Sequence, residues 1–183
     1  MSRNTISRSL HDVGLSAWFG GTLANAVALN DAAGHAGDDS ASGRVANAGW
    51  NAWTPVNAAA IGSHLVGAVG QVLGNKGRIG GQKGVGTMSV GKTALTAAAL
   101  GATAYSRVLG RRVSHQRDVP VGDGTNPSFQ TPEPVAKAQQ QLKLMQWVVP
   151  ALTGALVVVS SFAGEQQRAS EVSRGLLGRV TGH

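Results

Sequence analysis

The chain has no cysteine, only 4% aromatic residues and only 14% charged residues. Without cysteine there are no disulfides, no thiolate metal ligands and no cysteine nucleophile. The few aromatics are not interleaved with a basic stripe, as a binder of single-stranded nucleic acid requires, so nucleic acid is not an expected partner. Acids are scarce as well: nine Asp and Glu stand against sixteen Lys and Arg, for a net charge of +7. None of the acids lies well inside an apolar segment, and Asp12 and Glu165 stand at segment ends. Paired carboxylates for general acid–base chemistry are therefore missing. No catalytic residue and no metal site is assigned.

Four nearly uncharged blocks are present instead. They are VGLSAWFGGTLANAVAL from Val13, PVNAAAIGSHLVGAVGQVL from Pro55, TALTAAALGATAYS from Thr93 and LMQWVVPALTGALVVVSSFAG from Leu144. A membrane-spanning helix needs about 20 predominantly apolar residues. A soluble bundle would need charged outer faces at the 3.6-residue period, and these blocks are apolar or small all round. The expected fold is all-α, a four-transmembrane-helix bundle with spans at about 13–30, 55–74, 93–109 and 144–164. Around it lie an N-terminal tail 1–12, an external loop 110–143 and an amphipathic C-terminal tail 165–183; the middle of the loop, DVPVGDGTNPSFQTPEP, has the composition of an extended loop, and the VAKAQQQLK after it can begin the fourth helix outside the bilayer. Pro150 is expected to kink the last span. Small residues four apart, in the sets Gly20, Ala24, Ala28, then Gly70, Gly74, then Ala97, Gly101, are candidates for close helix approach. The first block also has a small-residue Ala26-Val27-Ala28 site. Asp12 before it and Asn25 within it argue against a cleaved signal peptide.

Charge placement orients the bundle. The first connector carries Arg44 alone, while the second carries Lys76, Arg78, Lys83 and Lys92. Basic connectors stay in the cytoplasm, so both termini are placed there and the protein in the plasma membrane. The second-connector cations are expected to face anionic lipid headgroups.

That connector runs into GTMSVGKT, which has the spelling of a phosphate-binding loop in Gly86, Gly91, Lys92 and Thr93. Such a loop must follow a buried strand and open a helix. The preceding GNKGRIGGQKGV offers only Ile79 and Val85 as apolar residues, and no strand. The match is read as accidental.

Ionisable groups at membrane depth mark candidate sites. His64 lies near the middle of the second block, with Asn57 and Gln71 seven residues to either side. That spacing keeps the three near one helix face. Asn25 and Trp18 of the first helix, and Thr96 and Thr103 of the third, are the expected neighbours. His64 reads first as interhelical hydrogen-bonding glue. Its functional alternative is a proton relay, a haem ligand or a quinone contact. A bis-histidine haem needs a second histidine at matching depth, and His11, His35, His115 and His183 are all placed at termini or in connectors. His11-Asp12 is read first as a solvated helix start and, as the alternative, as a polar pair at the interface.

The stretches SLHDVGLSAWFGGTLANAVALN, RVANAGWNAWTPVNAAAIGSHL and KTALTAAALGATAYSRVLG resemble a family of small, uncharacterised four-helix integral membrane proteins of actinobacteria. The resemblance implies a plasma-membrane protein and brings no activity or catalytic residues. The four-span plan is also similar, in architecture alone, to the anthrone-oxygenase-like membrane proteins. The leading expectation is a structural or accessory membrane component rather than an enzyme, acting through helix–helix contacts with a membrane-protein partner or a second copy. The alternative is a membrane enzyme or small-molecule site around His64.

Overall fold

The computed structural model describes residues 4–74, 76, 85–115 and 118–165. Among these the chain is all-helical, without strands. Helix α1 spans Thr5–Ala24. It runs on through a π-helical stretch, Asn25–Leu29, into the single turn α2, Asn30–Ala33. Helix α3 is Asp39–Gly74, α4 is Val85–Ser114 and α5 is Glu133–Glu165. The C-terminal tail beyond Glu165, with Arg78 and Lys83, lies outside the described residues.

The long helices overrun the expected spans. At 1.5 Å per residue, the 36-residue α3 is about 54 Å long. It begins in what was expected to be a connector. Asp38 caps it, accepting the Ala41 N–H at 2.7 Å. Pro55, expected to open a span, instead lies inside the helix. Proline there denies one carbonyl its donor, and the neighbouring Thr54 hydroxyl turns back to the Trp50 carbonyl at 2.8 Å. Pro150 also lies inside a continuous helix, α5.

Residues 118–132 carry no helix, as their composition leads one to expect, and VAKAQQQLK belongs to α5. Asp123 accepts the backbone N–H groups of Thr125 and Asn126, both at 2.7 Å, closing an Asx turn. The loop then reaches back to the start of the chain. Val121 N–H donates to the Asp39 carbonyl at 3.0 Å, and Gly124 N–H to the Asn30 carbonyl at 3.1 Å. Val121 and Thr125 are buried. The proline-rich composition fits a built cap as well as a loose strand, and only tertiary contacts separate the two.

The packing has two tight pairs. Helix α1 lies along α3, and α4 lies along α5; contacts between α1 and α5 join the pairs. The α1–α3 pair is close because a Cβ at Gly67 would collide with His11 N and Ser7 O. A Cβ at Gly14 would meet the Ala60 carbonyl and would stand 2.5 Å from His64 N. Gly70 likewise meets Ser7, while Gly20 and Gly101 face open space. The close approach is thus made by Gly67 and Gly70 against Ser7 and His11, by Gly14 against Ala60 and His64, and by Gly21 against the Trp53 ring; the expected pair Gly70 and Gly74 takes part, and Gly20 and Gly101 do not. The core that results is small: Leu15, Trp18, Ala60, Ala99 and Leu156. A second cluster, Leu109, Val113, Val135 and Ala138, lies at the loop end.

Two helices, α3 and α5, are long and apolar enough to cross a membrane, with windows of mean hydropathy 1.3 and 1.7. Only 17% and 22% of these windows is buried within the bundle.

Candidate functional site

Helices α3 and α4 follow each other in the chain but pack little against each other. Two cavities lie along the cleft between them. The one nearer the chain's N-terminus is about 470 Å³, and His11, His64, Gln71, Lys92 and Thr96 are on its wall. The other, of about 360 Å³, lies under the α4–α5 loop. Leu100 borders both.

His64 comes to its place because Gly14 and Gly67 let α1 sink against α3. The same approach brings a second histidine beside it. The His11 and His64 rings are 4.5 Å apart at their centroids, tilted by 45°, and both side chains are buried. Placing His11 outside the bundle was therefore mistaken. Helix α1 begins at Thr5, so His11 lies two turns inside it and level with His64. His11 Nδ1 pairs with Asp12 Oδ1 at 2.8 Å, and its buried Nε2 has no partner. His11-Asp12 is thus a paired group within a helix and not a solvated helix start. His64 Nε2 is 3.5 Å from Thr96 Oγ1, at the limit of a hydrogen bond. Trp18 is fully buried with its ring 6.1 Å from His64, and its Nε1 donates to Thr103 Oγ1 at 3.3 Å. The expected seam of Trp18, His64, Thr96 and Thr103 is brought together.

Asn57 and Gln71 follow the same face of α3, one to each cavity. Asn25 does not join them. It sits in the π-helical stretch, about 20 Å along the rod from His11 at helical rise, and its buried Nδ2 has no partner. Asn30, five residues on, is the buried asparagine that works as a hub. It donates from Nδ2 to Gln146 Oε1 at 2.8 Å and accepts the Trp50 indole N–H at 2.9 Å. Asn30→Ala should lower stability by about 2 kcal/mol, because it strands both partners. Asn25→Ala, which breaks no bond, should stay within about 0.5 kcal/mol of wild type. Chemical unfolding in detergent, followed by tryptophan emission, checks both.

GTMSVGKT lies within the first turns of α4. Thr93 Oγ1 donates to the Ser89 carbonyl at 2.9 Å, and Gly91 faces open space. Gly91, Lys92 and Thr93 lie beyond the first turn, where backbone N–H groups bond to carbonyls of their own helix and form no phosphate cradle. Lys92 takes another role here. It lines the histidine cavity, one residue before the expected span, with no carboxylate in ion-pair distance among the described residues. No group of three or more metal-ligating side chains occurs among the described residues.

Sequence reasoning missed His11, Lys92, Asn30, Trp53, Arg107 and Gln139 as lining residues. Comparisons with protein-family models, curated proteins and solved structures each return no match to the chain.

Proposed function

We propose that the protein is a small plasma-membrane protein of four spans, with both termini cytoplasmic, that binds a small acidic amphiphile between α3 and α4. The membrane reading rests on the outward surface. The most apolar windows of α3 and α5 are mostly unburied within the bundle, whereas the core helix of a soluble protein would hide its own. Helices α1 and α4 carry more polar residues, and they would cross as the partners that α3 and α5 pack against. The quoted stretches support placing the chain with the small four-helix membrane proteins of actinobacteria.

The binding reading rests on the 470 Å³ cavity. A purely packing role accounts for the glycine stripe. It does not account for an unpaired ammonium and an unpartnered imidazole nitrogen on the wall of a space that size. Val69, Val72, Met88 and Leu100 supply an apolar bed beside Lys92. One cationic group above an apolar cavity suits a carboxylate on a short alkyl chain.

Two experiments test this. The chain should remain in the membrane pellet after an alkaline carbonate wash; release into the supernatant sinks the membrane reading. Octanoate should then raise the melting temperature of detergent-solubilised protein, as any ligand of the folded state does. Octanol at equal concentration should not, and Lys92→Gln should abolish the shift. Equal shifts with octanoate and octanol would show simple partitioning and refute the site.

A further inference from the structure

The second cavity is built from different chemistry. It lies between the outer halves of α3 and α4, closed above by the Val121–Thr125 stretch of the loop. Its polar wall has open valences. Trp53 Nε1, Asn57 Oδ1 and Gln139 Oε1 are buried and have no hydrogen-bond partner. Gln139 is fully buried, and its Nε2 is held by the Asp123 carbonyl at 3.2 Å. That bond fixes which way the free Oε1 points. Arg107 lines the same space, with no carboxylate in ion-pair distance among the described residues. The acid nearby, Asp123, has its carboxylate committed to Thr125 and Asn126. Ile61, Leu100, Met145 and Val149 form the apolar side.

Buried polar groups in native proteins are almost always paired, so three orphans on one cavity wall point to a missing partner. Their types say what that partner carries. A guanidinium and an indole N–H are donors and call for an anion. Two amide oxygens are acceptors and call for N–H or O–H groups. A fatty acid supplies the anion without the donors. A choline phosphodiester supplies the phosphate, but its quaternary ammonium has no proton to give. A phosphodiester bearing free hydroxyls supplies both.

We propose that this cavity holds the headgroup of an anionic glycerolipid with free hydroxyls. The phosphate lies at Arg107 and Trp53 Nε1, and the hydroxyls at Asn57 and Gln139. An acyl chain runs past Ile61 and Leu100 and leaves through the open α3–α4 cleft into the bilayer. The inference rests on the membrane-spanning reading, under which Trp50 and Trp53 lie at the level of the lipid headgroups.

Tryptophan quenching tests it. Full-length protein carrying Trp147→Phe, which removes the half-exposed indole of α5, is reconstituted into phosphatidylcholine vesicles. Brominated phosphatidylglycerol or brominated phosphatidylcholine is then titrated in. Flotation with the vesicles after a carbonate wash is scored first, and its failure counts against the membrane reading alone. In floated protein, brominated phosphatidylglycerol should quench at a several-fold lower mole fraction than brominated phosphatidylcholine. Arg107→Gln and Asn57→Leu should each remove that preference. Equal quenching by the two lipids in the unsubstituted cavity overturns the proposal whatever the variants do. Relief of quenching by soluble glycerol 3-phosphate also overturns it, because the ligand would then be a free phosphate and not a lipid.

Discussion

Val66→Arg and Val158→Arg are each expected to strip the protein from the membrane fraction and sharply lower its cellular level. Val66 is 63% exposed near the middle of the α3 window, and Val158 is 56% exposed in the α5 window. In water, an arginine at so open a position would change stability by no more than about 0.5 kcal/mol. It would also improve solubility. In a bilayer the same residue faces hydrocarbon, and an arginine at the centre of a span costs about 3 kcal/mol on the insertion scale. The two environments predict opposite signs, so the result decides between them. Val66→Leu and Val158→Leu serve as controls for packing. The readout is tagged protein in the carbonate-washed pellet against the supernatant. Arginine variants that keep wild-type levels, or that move intact into the soluble fraction with an unchanged melting temperature, would sink the four-span reading.

The second large effect is on the helix pair that builds the histidine site. Gly14→Val and Gly67→Val should each cost about 3 kcal/mol or more, because the added carbons meet backbone atoms of the facing helix and not movable side-chain ends. Gly20→Val and Gly101→Val, which point a Cβ into open space, should be nearly neutral. Near-neutrality extends to the membrane, where valine is as welcome as glycine on a lipid-facing surface. Thermal unfolding in detergent, followed by tryptophan emission to which Trp18 contributes, separates the two sets. Trp18 suits the purpose because it is fully buried beside His64 and reports on that interface. Equal tolerance at all four glycines would mean that α1 and α3 do not approach as described.

The all-helical class was legible from the apolar blocks alone, and so was the face of α3 that carries Asn57, His64 and Gln71. A seven-residue spacing needs no partner to be seen. The meeting of Trp18, Thr96 and Thr103 with that face was also within reach, since each is a polar group in an otherwise apolar segment. His11 was not. Its recognition requires the register of α1 against α3, and register depends on which glycines are buried. In a chain with 26 glycines, composition does not say which. The helical start of α3 was hidden by Pro55, which reads as a boundary unless the preceding turn can do without one hydrogen bond. That the loop folds back was hidden for a related reason. Its Gly, Pro and Asp content is that of a turn-former, and whether turns hang free or fold back depends on distant partners such as Asn30 and Asp39. Two of the four expected spans, in α3 and α5, are long and apolar enough to cross by themselves. Helices α1 and α4 fall short of that measure because they carry Arg8, His11, Asp12 and Lys92, of which His11 is buried while Arg8 and Asp12 are exposed.

The division into two tight pairs has a consequence for the order in which the protein is made. Helix α3 finds its principal partner, α1, already synthesised, so that half is complete once Gly74 has left the ribosome. Helix α4 has no such partner waiting, because α3 leaves the cleft open and α5 has not yet been translated. Under the four-span reading it waits in the translocon or the bilayer until Glu133–Glu165 emerges. The final helix therefore does two jobs at once: it pairs with α4 and clasps α1, and the loop ahead of it bonds back to Asn30 and Asp39. Assembly of the second half is a single late event, and the cleft is the seam left between the early product and the late one.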